Sequence, residues 1–129
     1  MAVNSKQKGA RFERHLASRF RDYGYNARRT AQYCGNTEDA ADVIGLPGIH
    51  IEAKHQERMC LYDWMAQAKR DSDGTGRLPA VFHKKNNAEI LVTMELDDFM
   101  QLYREWEAGF ELMRKETDTN GNDQDKIPS

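Results

Sequence analysis

Long apolar runs are missing from this chain: no uninterrupted stretch approaches the roughly 18 residues that a membrane-spanning helix requires. The opening residues, MAVNSKQKGARFERH, contain no apolar signal core, so a cytosolic protein is expected. Cysteine is scarce. Cys34 and Cys60 form no CxxC pair, and in an intracellular chain they read as free thiols. Together with the four histidines they show no zinc-ligand spacing. There is no internal repeat, and 129 residues suit one domain with a modest core.

Net charge is also small, at -2, but the average conceals a division. Residues 1–34 hold eight Lys and Arg against Glu13 and Asp22, a balance of +6. Residues 95–125 hold ten acids against Arg104, Arg114 and Lys115, a balance of -7. A basic N-terminal third is a fitting footprint for nucleic acid, and equally for an ordinary solvated helix.

Hydrophobic spacing sets out the elements. Ser5 or Asn4 can cap a helix to about Tyr23, with Phe12, Leu16, Ala17 and Phe20 as its apolar stripe and Gly24 as its stop. An extended stretch at 26–32 and a loop at Tyr33–Asn36 follow, then strands at about 40–46 and 49–55. Leu61–Asp71 reads as a second helix, and two further strands, Pro79–Lys84 and Glu89–Met94, flank a tight turn at Asn86-Asn87. Asp97 or Asp98 starts a last helix whose Phe99, Leu102, Tyr103, Trp106 and Phe110 are expected in the core. The expected domain is 1–115, and 116–129 is expected to be a polar, disordered tail. The order αβββαββα describes an α+β fold, a mixed sheet with helices on its faces.

The hairpin DVIGLPGIHIEAK, Asp42 to Lys54, is the informative stretch. With Pro47 at the turn, opposed residues have numbers that sum to 94, so Asp42 faces Glu52. Strand alternation puts Asp42, Glu52 and Lys54 on one face and Ala41, Val43, Ile49, Ile51 and Ala53 on the other. Opposed residues stand about 4.5–5.5 Å apart at Cβ, where like charges repel. Two carboxylates there require a proton, a cation or bulk water, and a divalent cation is the option that carries chemistry. A solvated hairpin face with a Glu–Lys pair is the plain alternative.

An acid followed ten residues later by Glu-x-Lys, in this element order, resembles the PD-(D/E)xK nuclease superfamily with its restriction-endonuclease-like core. The segment Lys8-Gly9-x-x-Phe12-Glu13-Arg14 resembles the start of archaeal-type Holliday-junction resolvases, similar to small phage and prophage endonucleases. The resemblance implies a metal-dependent endonuclease making paired nicks at four-way DNA junctions, a homodimer, and a bacterial host cytoplasm. Asp42, Glu52, the carbonyl of Ala53 and Glu13 are the implied ligands of Mg²⁺, for which Mn²⁺ substitutes. Lys54 is then a base or a charge stabiliser, and Gln67, on the helix after the ExK strand, an additional site residue. Lys8, Arg11, Arg14, Arg28, Arg29, Lys84 and Lys85 are the candidate DNA contacts. His55 should point to the other face and serve packing.

The chain departs from the pattern twice: Ala41 stands where the family name has proline, and Cys34-Gly35 stands where the resolvases tend to carry a serine. The second departure bears on junction specificity. Another structure-selective or nicking nuclease on the same scaffold, and a non-catalytic DNA-binding module, remain open at this point.

Overall fold

The computed structural model describes residues 5–30 and 41–119; Cys34 and the loop expected at Tyr33–Asn36 lie outside the described residues. The elements are α1 (Ser5–Asp22), β1 (Arg28–Arg29), β2 (Val43–Ile44), β3 (Ile49–His55), α2 (Leu61–Ser72), β4 (Leu78–Lys84), β5 (Leu91–Thr93) and α3 (Leu96–Thr119). The expected order αβββαββα is the observed one. Two compact units divide the chain, Met1–Met94 and Glu95–Ser129. Among the described residues no helix is long and apolar enough to cross a membrane.

In the first unit the five strands form one sheet in sequential order. β3 and β4 run parallel, joined through α2, and the other neighbours are antiparallel. One face is closed by α1, whose Phe12, Leu16 and Ala17 pack with Val43, Ile51, Ala53, Ala80 and Phe82. The opposite face is closed by α2, whose Trp64, Met65 and Ala68 pack with Val81. β3 is therefore covered on both sides. That explains why a strand with period-2 polarity has Ile51 and Glu52 both buried.

Local chemistry fixes the ends of these elements. Gly24 adopts a left-handed φ of 97° and terminates α1. Its N–H donates to Arg21 O and that of Tyr25 donates to Phe20 O, at 2.9 and 3.1 Å, the pair of bonds that closes a Schellman end. At the hairpin, the Ile49 N–H donates to Leu46 O at 3.2 Å. Pro47 occupies the second turn position and Gly48, with φ 83°, the third, where a type II turn needs a positive angle. Val43 pairs with Ile51, so the register is the one in which numbers sum to 94.

The strands are shorter than hydropathy suggests. β2 stops at Ile44 because Gly45, at φ 111°, leaves the extended conformation. The backbones of Asn26 and Ala27 press against it there, and a Cβ at Gly45 would lie 2.5 Å from Ala27 Cα. Thr30 ties β1 to the start of β2: its hydroxyl donates to Ala41 O at 2.7 Å and its N–H to Asp42 O at 3.1 Å.

α3 corrects one expectation. Phe99, Leu102 and Trp106 are exposed and not core. The aromatic side chains instead form a ladder along the helix itself: Phe99 with Tyr103, Tyr103 with Trp106 at 5.5 Å, and Trp106 with Phe110 at 5.7 Å. Helical periodicity reports an apolar stripe but not what covers it. The helix also continues to Thr119, past residue 115, and the remainder of the expected tail lies outside the described residues.

The two hairpin glycines should differ on substitution. Gly48→Ala meets open space and should cost about 1–2 kcal/mol from its left-handed φ. Gly45→Ala adds a backbone clash and should cost roughly 3 kcal/mol or more. Urea denaturation of both variants checks the order.

Candidate active site

Four elements converge on one open cavity of about 630 Å³. β3 contributes Glu52, Ala53 and Lys54, α1 contributes Lys8 and Glu13, α2 contributes Gln67, β1 contributes Arg29, and Asp42 stands immediately before β2. The hairpin register brings the two carboxylates together, and the burial of β3 removes bulk water as their remedy: Glu52 is only 2% exposed. Asp42 Oδ2 accepts the Ala53 N–H at 2.8 Å, which fixes its carboxylate against β3.

Electrostatics follow from that placement. Burial, and then the charge of Glu52, push the Asp42 carboxyl from its ordinary 3.8 up to about 7. Glu13 adds to the rise, whereas the Ala53 bond and Lys54 oppose it. Of the three remedies for opposed carboxylates, a proton on Asp42 is the one available near neutral pH without a cation. Asp42, Glu52, the Ala53 carbonyl and Glu13 are all-oxygen donors at the same cavity, which suits a hard divalent cation.

The other predicted residues fall into distinct places. Lys54 Nζ lies 3.9 Å from Glu52 Oε2 and donates to Gln67 Oε1 at 3.5 Å, so α2 holds the lysine over the carboxylate. Glu13 accepts a 2.6 Å hydrogen bond from Arg29 Nε, which makes that arginine first an ion-pair partner at the cavity wall. Arg11, Arg14 and Arg28 are exposed, Lys84 is partly buried and Lys85 exposed, and none of these five lines the cavity. His55 makes an edge contact with Phe12 at 5.6 Å and pairs with Asn86 Oδ1 at 3.0 Å, as a packing residue does, although its rim touches the cavity. His83 is buried, and its Nε2 pairs with Thr93 Oγ1 at 2.8 Å.

Two contributions escaped the sequence. Arg58 lines the cavity from the segment between β3 and α2, with no periodicity to announce it. His50 is buried beside Glu52, its Nε2 3.7 Å from Oε1; the alternation that groups Glu52 with Lys54 also includes position 50, so this one was visible.

The family model described as "Phage putative PDDEXK endonuclease" matches residues 4–127. Among solved structures, Hjc, a Holliday junction resolvase from the hyperthermophilic archaeon Archaeoglobus fulgidus, shares the fold. The two align with a TM-score of 0.53 and 24% identity over 67% of this chain and 76% of that one. No curated protein matches the chain.

A raised carboxyl pKa in the folded state stabilises below the unfolded value and loses that contribution as pH rises through the folded one. Without divalent cations, the advantage of wild type over Asp42→Asn should therefore shrink by on the order of 3 kcal/mol between pH 4 and pH 7.5. Denaturant titrations in EDTA at both pH values measure it.

Proposed function

Because the chain belongs to the phage PDDEXK endonuclease family, we propose that this nuclease hydrolyses phosphodiester bonds at four-way DNA junctions. In this reading it uses Mg²⁺, replaceable by Mn²⁺, and works as a two-fold homodimer in recombination within the cytoplasm of a bacterial host. The nuclease domain is assigned to residues 1–115, with 116–129 as a tail outside the reaction. One observation carries the reading: Glu13, Asp42, Glu52, Lys54 and Gln67 line one cavity in which the half-buried Asp42 faces the buried Glu52. The Hjc fold and the Lys8–Arg14 segment support the junction as substrate.

The donor set fits a hard divalent cation, because burial and mutual repulsion leave Asp42 near pKa 7 and a dication relieves both. Asp42, Glu52 and the Ala53 carbonyl would hold it, with Glu13 beside them; when bound, it supplies Lewis-acid polarisation of the phosphate and acidifies an attacking water. Asp42 would have to give up its proton to serve as a ligand, so it would hold a dication better as pH rises toward 7. Glu52 is buried against the cavity, with its Oε2 toward Lys54. Lys54, held by Gln67, presents its ammonium where negative charge develops on the phosphate oxygens, so it acts as a charge stabiliser. Arg29 orients Glu13 through the 2.6 Å bond.

DNA binding in this reading starts at Lys8 on the cavity wall and extends over the exposed Arg11, Arg14 and Arg28. Lys84 and Lys85 are more remote contacts. Affinity then falls steeply with salt, with a logarithmic slope of about -0.9 for each phosphate neutralised.

Cleavage of a labelled four-way junction, a flap and a linear duplex at one salt concentration tests the proposal. Paired symmetric nicks on the junction are expected with Mg²⁺ and none with EDTA. Glu52→Ala and Lys54→Met should each slow cleavage by roughly 10²–10³-fold, as loss of a group stabilising transition-state charge does. Faster cutting of the flap would replace junction selectivity with another structural preference. A junction bound but left whole with every metal would make the chain a binding module.

A further inference from the structure

Glu52 is only half used by the cavity. Its Oε2 turns to Lys54, while its Oε1 turns the other way, to within 3.7 Å of His50 Nε2. Neither Oε1 nor Nε2 has a hydrogen-bond partner, and the two side chains are 2% and 1% exposed. Buried polar atoms left unmatched cost roughly 1–3 kcal/mol each, and more when charged, so a nearly dry pair of this kind calls for a ligand between its atoms. Asp71, in the last turn of α2, supplies a third wall: one donor atom from each of His50, Glu52 and Asp71 lies within 4.8 Å of the other two. Neither His50 nor Asp71 lines the cavity where Asp42 and Lys54 meet.

We propose that His50, Glu52 and Asp71 form a second cation site, behind Glu52, that takes a nitrogen-accepting transition-metal ion of the Zn²⁺ class. The donor chemistry selects the ion. An imidazole nitrogen with two carboxylates suits zinc and its first-row neighbours, whereas Mg²⁺ favours oxygen alone. Two carboxylates and a neutral imidazole also balance a dication. Size agrees: donors about 2.0–2.1 Å from a tetrahedral zinc stand about 3.4 Å from each other, close to the 3.7 Å between His50 and Glu52. The third donor, within 4.8 Å of the others, needs to close by up to about 1.4 Å, and Asp71 is partly exposed, which leaves its side chain room to turn and gives the ion a path inward. An ion there grips Glu52 from behind and fixes the orientation in which Oε2 faces the cavity. The site does not depend on DNA cleavage by the front of the same carboxylate.

Cobalt(II), which shares zinc's ligand preferences and has a visible spectrum, is the probe. The metal-free full chain is titrated with Co²⁺ and then with Zn²⁺. Wild type should bind one Co²⁺ with d–d absorption and a contact-shifted exchangeable imidazole N–H proton resonance, both lost when Zn²⁺ is added. His50→Gln should lose the imidazole resonance, and both His50→Gln and Asp71→Asn should weaken Co²⁺ binding at least tenfold. Asp42→Asn should keep the spectrum even as junction cleavage with Mg²⁺ disappears, which separates this site from the proposed catalytic one. Asp71 is partly exposed, so its asparagine variant decides the matter if His50→Gln unfolds by circular dichroism. Absence of Co²⁺ binding to wild type, or equal binding by wild type and Asp71→Asn, would overturn the second site.

Discussion

Two carboxylates face each other across the β2–β3 pair, and much of the first unit is arranged around that repulsion. The type II turn at Leu46–Ile49 fixes the register, and the register makes Asp42 the neighbour of Glu52. Burial of β3 between α1 and α2 then removes solvent from one of the two acids. What remains is a pair that cannot carry two negative charges without help, and help comes as a proton on one carboxyl or as a cation. Apolar packing thus tunes the titration of an acid that it does not touch chemically.

The surrounding side chains respond to the same charge. Lys54 leans toward Glu52 and is steadied by Gln67 from α2, while Glu13 from α1 carries its own counter-ion in Arg29. Each helix that closes a face of the sheet therefore also sends at least one polar side chain to the cavity. Packing and chemistry share the same elements, and their positions are linked: a helix that shifts to repair a core defect carries its polar group with it.

The hairpin was the most legible part of the chain because its signals agree. Pro47 and Gly48 specify the turn, alternation specifies the faces, and the opposed acids mark the unusual pair. Gln67 and Glu13 were legible only through the resemblance, since a lone glutamate in a basic amphipathic helix has no physical mark of its own. Strand ends were harder to read, because Gly45 ends β2 through a backbone angle and a close approach that depend on distant Asn26 and Ala27. Periodicity marks the stripe on α3 but contains no information about a covering surface, and Phe99, Leu102 and Trp106 are exposed. His50 belongs to no motif, yet strand alternation places it on the face of Glu52 and Lys54.

Thr30 has a consequence beyond its two bonds. By donating from its hydroxyl to Ala41 and from its backbone to Asp42, it staples together the two ends of the 31–40 segment immediately before the acid. The placement of Asp42 is thereby insulated from the length and composition of what lies between those ends, because closing a longer loop costs little once its base is fastened. The reactive carboxyl is thus held in register by bonds made outside that segment.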